Sequence, residues 1–275
     1  MDDLNSLNFS NRDLRNRSFR GKNLNRANFS GSDIRGCDFS YSQLVEANFE
    51  RAKAGQTIRQ VLPVILLSVI FALVSANGVS RLAFAALGQT PEQSAWSSVV
   101  ILHLFAGVAG IGAASRVLLG LDSKIGKVGM YLSGLCSGAL TGFFYAGNYS
   151  GLNVQVAIAG AVAGAVLVAV LSWFVRKPMV VLILAMGAVA AYGFAFLIWT
   201  VAIACLNTER YLSGFGLGAL SLGSVWCVVC SLRAAGYEIR QVIGTSFQGA
   251  NITNARFDGA SLKNTDFSRV IGFPK

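Results

Sequence analysis

The chain has one histidine, His103, in 275 residues. That excludes any multi-histidine metal or haem site and the H-E-x-x-H zinc motif. A phosphate-binding glycine loop and the G-x-S-x-G nucleophile elbow are also missing, so hydrolase and nucleotide-dependent chemistry lose their usual carriers. No catalytic residue, cofactor-binding residue or metal ligand is expected, and the chain reads as no enzyme. His103 itself reads as a hydrogen-bonded packing residue, because a neutral imidazole is cheap to bury. The five cysteines, Cys37, Cys136, Cys205, Cys227 and Cys230, show no even-numbered disulfide framework. Cys227 and Cys230 form a C-x-x-C within an apolar run, with no second pair and no neighbouring histidine, and read as packed thiols. Met1-Asp2-Asp3 lack an apolar run, so no cleavable signal peptide is expected. Charge is scarce as well: 13% of residues are charged against 53% hydrophobic, which excludes an ordinary soluble domain and points to a membrane protein.

What is present is a ladder. Phe, Leu or Ile recurs at every fifth residue from Leu4 through Phe9, Leu14, Phe19, Leu24, Phe29, Ile34, Phe39 and Leu44 to Phe49, and again in a different phase at Phe247, Ile252, Phe257, Leu262 and Phe267. A period of five fits neither the alternation of a strand nor the 3.6-residue face of a helix. A fixed repeat of this kind marks a solenoid. Most residues just before the first ladder's rungs are Asn or Asp (Asp3, Asn8, Asp13, Asn23, Asn28, Asp33, Asp38 and Asn48), types that bond their own backbone in turns. The chain should therefore turn at every rung.

Segments such as Ala27-Asn28-Phe29-Ser30-Gly31 and Ala250-Asn251-Ile252-Thr253-Asn254 resemble the pentapeptide-repeat family. The resemblance implies a right-handed quadrilateral β-helix of four pentapeptides per coil, with the Leu or Phe pointing inward. The wider resemblance is to membrane-embedded cyanobacterial members with repeats flanking transmembrane helices, on the Ala52 to Gly55 junction and the closing segment Thr245 to Phe267. Gyrase-binding members carry a strongly acidic, DNA-like face, whereas both ladders here are mildly basic, which disfavours that activity. The family also wants a small inward residue two places before each rung. Ala27, Ser32, Cys37, Ser42 and Ala47 comply; Arg12, Arg17 and Lys22 do not. Unpartnered charge cannot be stacked in an apolar core, so these three, with Arg15 and Arg20 nearby, are expected at an open end. They serve there either as a solvated cap against end-to-end stacking or as a docking surface for an acidic partner or anionic lipid.

The net charge of +10 is spread out: residues 1–56 carry nine Lys and Arg against seven Asp and Glu, and residues 233–275 six against three. The remainder falls beside apolar segments, a topology signature and no nucleic-acid patch. Six spans of roughly 20 residues are expected at about 60–79, 97–117, 128–147, 154–175, 179–205 and 212–232, with an outer loop over 80–96 that holds Arg81, Pro91 and Glu92. An even count returns both ladders to one side. Arg51, Lys53, Arg59, Arg116, Lys124, Lys127, Arg176, Lys177, Arg233 and Arg240 place that side in the cytoplasm, of a plasma or thylakoid membrane. Gly134, Gly138, Gly142, Gly160, Gly164, Gly214 and Gly218 sit at helical spacing and should let helices pack closely. The octets from Ala54 and Ala235 share Ile-Arg-Gln-Val, which leaves open paired roles for Arg59 and Arg240 or convergent composition.

The expected fold is thus an α+β membrane protein, a six-helix bundle with a short β-helix split between the termini. Its domains are residues 1–53, a transmembrane domain over 54–240, and residues 241–275 stacking on the first. The functional expectation is a scaffold or adaptor that contacts membrane lipid and protein partners, through a larger membrane complex or self-association, with no nucleic acid. The alternative is a small-solute channel or transporter with a polar cavity near Asn77, His103, Thr141 or Thr200.

Overall fold

The computed structural model describes residues 7–87, 89, 92–93, 96–120, 123–174 and 176–272, leaving aside the side chains of residues 174 and 176–178. The first rung Leu4, its neighbour Asp3, the loop residue Pro91 and the side chains of Arg176 and Lys177 lie outside the described set. The chain divides into two compact units, Met1–Pro63 with Gln241–Lys275, and Val64–Arg240.

In the first unit the period of five becomes a period of twenty. Two residues after each rung the backbone enters the left-handed region, with φ near 60° at Asn11, Asn16, Arg26, Tyr41, Glu46 and Arg51 and near 70° at Gly21, Gly31 and Gly36. Asn and Gly tolerate that conformation. Each turn redirects the chain after a short extended piece, and after four of them the chain lies over itself. Parallel bridges join Asn8 to Asn28 and Asn28 to Asn48, Asp13 to Asp33 and Asp33 to Lys53, Ser18 to Asp38, and Asn23 to Gln43. The extended pieces are so short that nearly all pairings are single bridges. Among the described residues only β1 (Thr245–Ser246) and β2 (Thr265–Asp266), a parallel pair, reach two residues.

Because Phe and Leu or Ile alternate along the ladder, the return after twenty residues puts Phe over Phe and aliphatic over aliphatic. Phe9, Phe29, Phe49 and Phe257 stack at 4.9–5.0 Å between ring centroids. A second column of Phe19, Phe39, Phe247 and Phe267 stacks at 4.9–5.1 Å. Rings of the two columns meet edge-on, as at Phe29 and Phe39, the arrangement that aromatic quadrupoles favour. Leu14, Ile34 and Leu44 fill the other corners and are fully buried with Phe29, Phe39 and Phe49.

The two ladders form one continuous stack. Bridges run from Asp38 to Ser246, Gln43 to Asn251, Asn48 to Arg256 and Lys53 to Ser261. The first ladder does not stop at Phe49: Ala54 is one further rung, 5% exposed, donating its N–H to Ser261 O at 2.8 Å. An alanine there hides the periodicity. Phe247 then takes the place that residue 59 would hold in an unbroken ladder, so the helices are an insertion within the third turn of the stack. Where the chain leaves and returns, the buried Thr245 hydroxyl donates to Ile34 O at 2.9 Å and accepts from Gly55 N at 3.0 Å. A side chain on Gly244 would fall on the Gly55 carbonyl. Thr57 precedes the first helix, and Gln60 accepts its N–H at 3.1 Å and donates to Gly244 O at 2.9 Å, a capping arrangement that ties this turn to the stack. The expected boundary at residue 53 therefore moves to Pro63.

Among the described residues there are six helices: α1 (Ile58–Ala86), α2 (Trp96–Leu118), α3 (Lys124–Tyr149), α4 (Val154–Phe174), α5 (Arg176–Asn207) and α6 (Tyr211–Arg240). Five are long and apolar enough to cross a membrane; α3 falls short because its glycines and serines lower its mean hydropathy. The expected loop beyond residue 79 is wrong at its start, since α1 continues through Arg81 to Ala86. The octet from Ala235 is mostly the end of α6. Arg59 and Arg240 thus lie at opposite helix ends, in the first turn of α1 and at the last residue of α6.

The second unit is organised around α5, whose apolar window is 67% buried against 11% for α4. Small residues set that seam: a Cβ on Gly110 would lie 2.6 Å from the Ala191 Cβ, and one on Gly107 3.3 Å from the Phe194 ring. At one end of α2, Arg116 meets Glu238 of α6 at 2.5 Å, with side chains only 11% and 15% exposed. A cation in the last turn also suits the helix dipole. Glu238→Gln should lower the stability of detergent-solubilised protein by roughly 2 kcal/mol, since it removes the negative charge that faces a largely covered guanidinium. Arg116→Met combined with Glu238→Leu should recover most of that loss in thermal unfolding.

Candidate functional site: the basic end of the stack

The first turn of the stack, residues 7–26, holds six Lys and Arg and one Asp; the second, residues 27–46, holds one against three acids. Charge is therefore concentrated at one end. The five cations expected there separate into two groups. Arg15 forms a two-pronged contact with Asp13, at 2.9 and 2.6 Å, and Arg35 repeats it with Asp33 one turn on. The Arg15 hydrogen bonds hold the Asp13 carboxyl down at about 2, and Arg35 lowers Asp33 likewise. Arg20 lies over the Tyr41 ring at 5.3 Å. Arg15 and Arg20 are thus engaged on the sides of the stack.

Arg12, Arg17 and Lys22 are exposed, and no ion pair involves them among the described residues. One turn on, the same inward places are held by Ser32, Cys37 and Ser42, all fully buried. The Cys37 thiol donates to Leu14 O at 3.0 Å, and burial pushes it up to about 12, so it is a packing group and no nucleophile. The signal for the Asp-Arg pairs was present in the sequence as Asp-x-Arg at 13–15 and 33–35, twenty apart. Both carboxyls are depressed in the folded state, so their stabilisation is present above the ordinary carboxyl range and fades as pH falls below it, toward about 2 for Asp13. A thermal midpoint that declines over that window, and declines less in Asp33→Asn, is the expected result.

The glycines singled out from the sequence lie in different settings. Gly138 and Gly142 of α3 face Gly164 and Gly160 of α4 so closely that a Cβ on either helix would strike the other's backbone. Gly134 packs on Ile183 and Val168, and Gly214 on Leu206, while Gly218 has only the Trp199 ring at 3.9 Å. The polar residues named for a cavity bond mostly to their own helices: His103 Nδ1 lies 2.7 Å from Val99 O, Thr141 donates to Ser137 O and Thr200 to Leu197 O. Asn77 is exposed. Cys230 is buried and Cys227 half-buried. Among the described residues no three His, Cys, Asp or Glu side chains group as metal ligands. A groove of about 480 Å³ between α3 and α4 is walled by Tyr131, Leu135, Val168 and Trp173.

The pentapeptide-repeat family matches residues 3–40 and 242–271, in eight copies. Both ends of the chain are pentapeptide repeats. No curated protein and no solved structure matches the chain, so the cyanobacterial grouping rests on resemblance alone. The family match ends at residue 40, whereas the stacked repeats run on to Ala54 before the helices intervene.

Proposed function

We propose that this protein is a non-enzymatic membrane scaffold, in which a right-handed four-sided β-helix is held at the membrane and docks protein partners. The observation that carries the reading is the insertion: the repeat body is interrupted within one turn by a helical region with five membrane-competent helices. A repeat surface built this way is tethered through both of its internal ends. Rigid repeat faces suit protein contact, and apolar helices suit lipid.

In the same reading α3 crosses with the other five, its length of 26 residues being sufficient. In this reading both termini lie in the cytoplasm, of a plasma or thylakoid membrane, which the even count and the flanking cations favour. Co-purification of tagged protein from gently solubilised membranes tests the scaffold. A partner, or a second copy, should be retained by the full chain and lost when the repeat surface is altered. A monodisperse protein without any stable partner in both cases sinks it. A membrane-impermeant amine reagent should label the exposed Lys22 in inside-out vesicles and not in right-side-out ones.

A further inference from the structure

Helices α3 and α4 touch backbone to backbone over part of their length and then come apart. Gly142 faces Gly160 and Gly138 faces Gly164, each pair so close that a Cβ would strike the other backbone. One turn nearer the start of α3, a Cβ on Gly134 would first meet side chains, those of Ile183 and Val168 at 3.0–3.1 Å. Beyond Gly134 the larger side chains of Tyr131, Val168 and Trp173 stand between the helices and the groove of about 480 Å³ opens. Ser172 in its wall donates its hydroxyl to Val168 O at 2.6 Å, which leaves an apolar lining of Leu135, Val168 and Ala169. At the groove's end Tyr131 is 50% and Trp173 74% exposed. Both join an apolar ring to a polar tip, the kind of side chain that sits where hydrocarbon gives way to head groups. Lys127 and Lys124, both exposed, precede Tyr131 by four and seven residues and so share its side of α3. From Leu135 to Lys124 the helix rises about 16 Å. The helix ends that meet here are basic overall: residues 119–135 and 168–180 hold four Lys and Arg against one Asp.

We propose that this groove binds an acyl chain of an anionic phospholipid, whose phosphate is met by Lys127 and Lys124. The inference rests on the reading that α3 and α4 cross a membrane, and it adds a lipid of stated charge to the partners of the scaffold. Two observations choose the occupant. Only 11% of the apolar window of α4 is covered, so the groove opens on a face that hydrocarbon reaches. A flexible chain follows the space between two diverging helices, whereas another helix, about 10 Å across, cannot enter it. Charge decides against a second copy as well. Copies in one membrane share an orientation, so two-fold pairing across this groove would bring the basic helix ends together at one depth, where like charges repel. An anionic head group at that depth answers them.

The test uses the full chain carrying Trp96→Phe, Trp199→Phe and Trp226→Phe, so that Trp173 alone fluoresces, in phosphatidylcholine vesicles. Bromine on the acyl chains quenches the indole by contact. Brominated phosphatidylglycerol should reach half of its quenching at a mole fraction about tenfold lower than brominated phosphatidylcholine needs. Lys124→Gln with Lys127→Gln should bring that ratio close to one. Ala169→Phe fills the groove, keeps both cations and should also abolish the preference. An unchanged thermal midpoint of each variant in detergent separates loss of the site from loss of the fold. Equal quenching curves for the two lipids overturn the proposal, as does a preference that survives either the lysine pair or Ala169→Phe. Quenching by both lipids that falls as more protein is placed in the same vesicle makes a second copy the occupant, which also overturns it. Co-purification of protein partners does not read the groove, so if the lipid preference alone is missing the scaffold stands and only the lipid site fails.

Discussion

Phe247→Ala should destabilise the repeat body by about 3–5 kcal/mol, and the damage should be visible some two hundred residues away in the chain. Phe247 is fully buried and stacks between Phe39 and Phe267, at 4.9 and 5.1 Å, with Phe49 and Phe257 edge-on at 5.4 and 5.8 Å. Removing a buried ring loses its transfer free energy and leaves a cavity that neighbours on a hydrogen-bonded stack cannot close. A parallel ladder fixes the spacing between turns, so the ring columns cannot slide together. The third turn is completed by Phe247 and Ile252 over Phe39 and Leu44, and the loss therefore spreads to residues 7–54. Hydrogen exchange should speed up at the amides of Phe39, Tyr41, Leu44, Glu46, Phe49, Arg51 and Ala54, which donate to carbonyls of residues 246–261. Deleting residues 245–275 is the stronger form, because it exposes Phe39, Leu44, Phe49 and Ala54 at once. Unchanged exchange and protease resistance of residues 7–54 in both variants would mean that the first ladder is stable without the second.

The period of five was legible because each pentapeptide carries its own turn. Asn or Asp precedes the rung, and Asn or Gly often follows at the left-handed position, so the local sequence encodes the local geometry. The continuity of the two ladders was harder to read. Their phases differ, Ala54 lacks the bulk that marks a rung, and the join is made by Thr245, Gly55 and Gly244 through backbone proximity that leaves little trace in composition. Sequence alone likewise treated the five cations of the first turn as one group. Only the geometry separates Arg15 and Arg20, held by Asp13 and Tyr41, from Arg12, Arg17 and Lys22.

Among the helices, hydropathy found the segments and missed their ends. Arg81 suggested a loop, yet α1 carries it and runs on to Ala86, roughly a turn and a half further, as a long cationic side chain can reach out from near a helix end. The pair of Arg116 and Glu238 was invisible because its members are far apart in sequence and each resembles an ordinary flanking charge. The close seam of α2 and α5 was overlooked for a related reason: Gly107 and Gly110 do not stand four apart, and Ala191, which Gly110 meets, draws no attention in an alanine-rich run. The seam of α3 and α4 is the opposite case, since glycines recur at four-residue spacing on both helices.

That seam yields the last expectation. Gly142→Leu should cost upwards of about 3 kcal/mol, beyond ordinary overpacking, because the first added carbon would meet the Gly160 carbonyl and Gly164 Cα, backbone that cannot swing aside as a side chain would. The contact is reciprocal: a Cβ on Gly160 meets Gly142, and one on Gly164 meets Gly138. Relief requires α4 to move away from α3 along its length, surrendering the dispersion contacts that hold helices together in a solvent as apolar as they are. Little else would hold α4, given how small a share of it is covered. Gly216→Leu is the matched control, with open space around the glycine, and should be close to neutral. Thermal unfolding of both variants in the same detergent separates a backbone seam from a general dislike of leucine. Equal midpoints for the two would show that the α3 and α4 backbones do not meet as closely as these glycines allow.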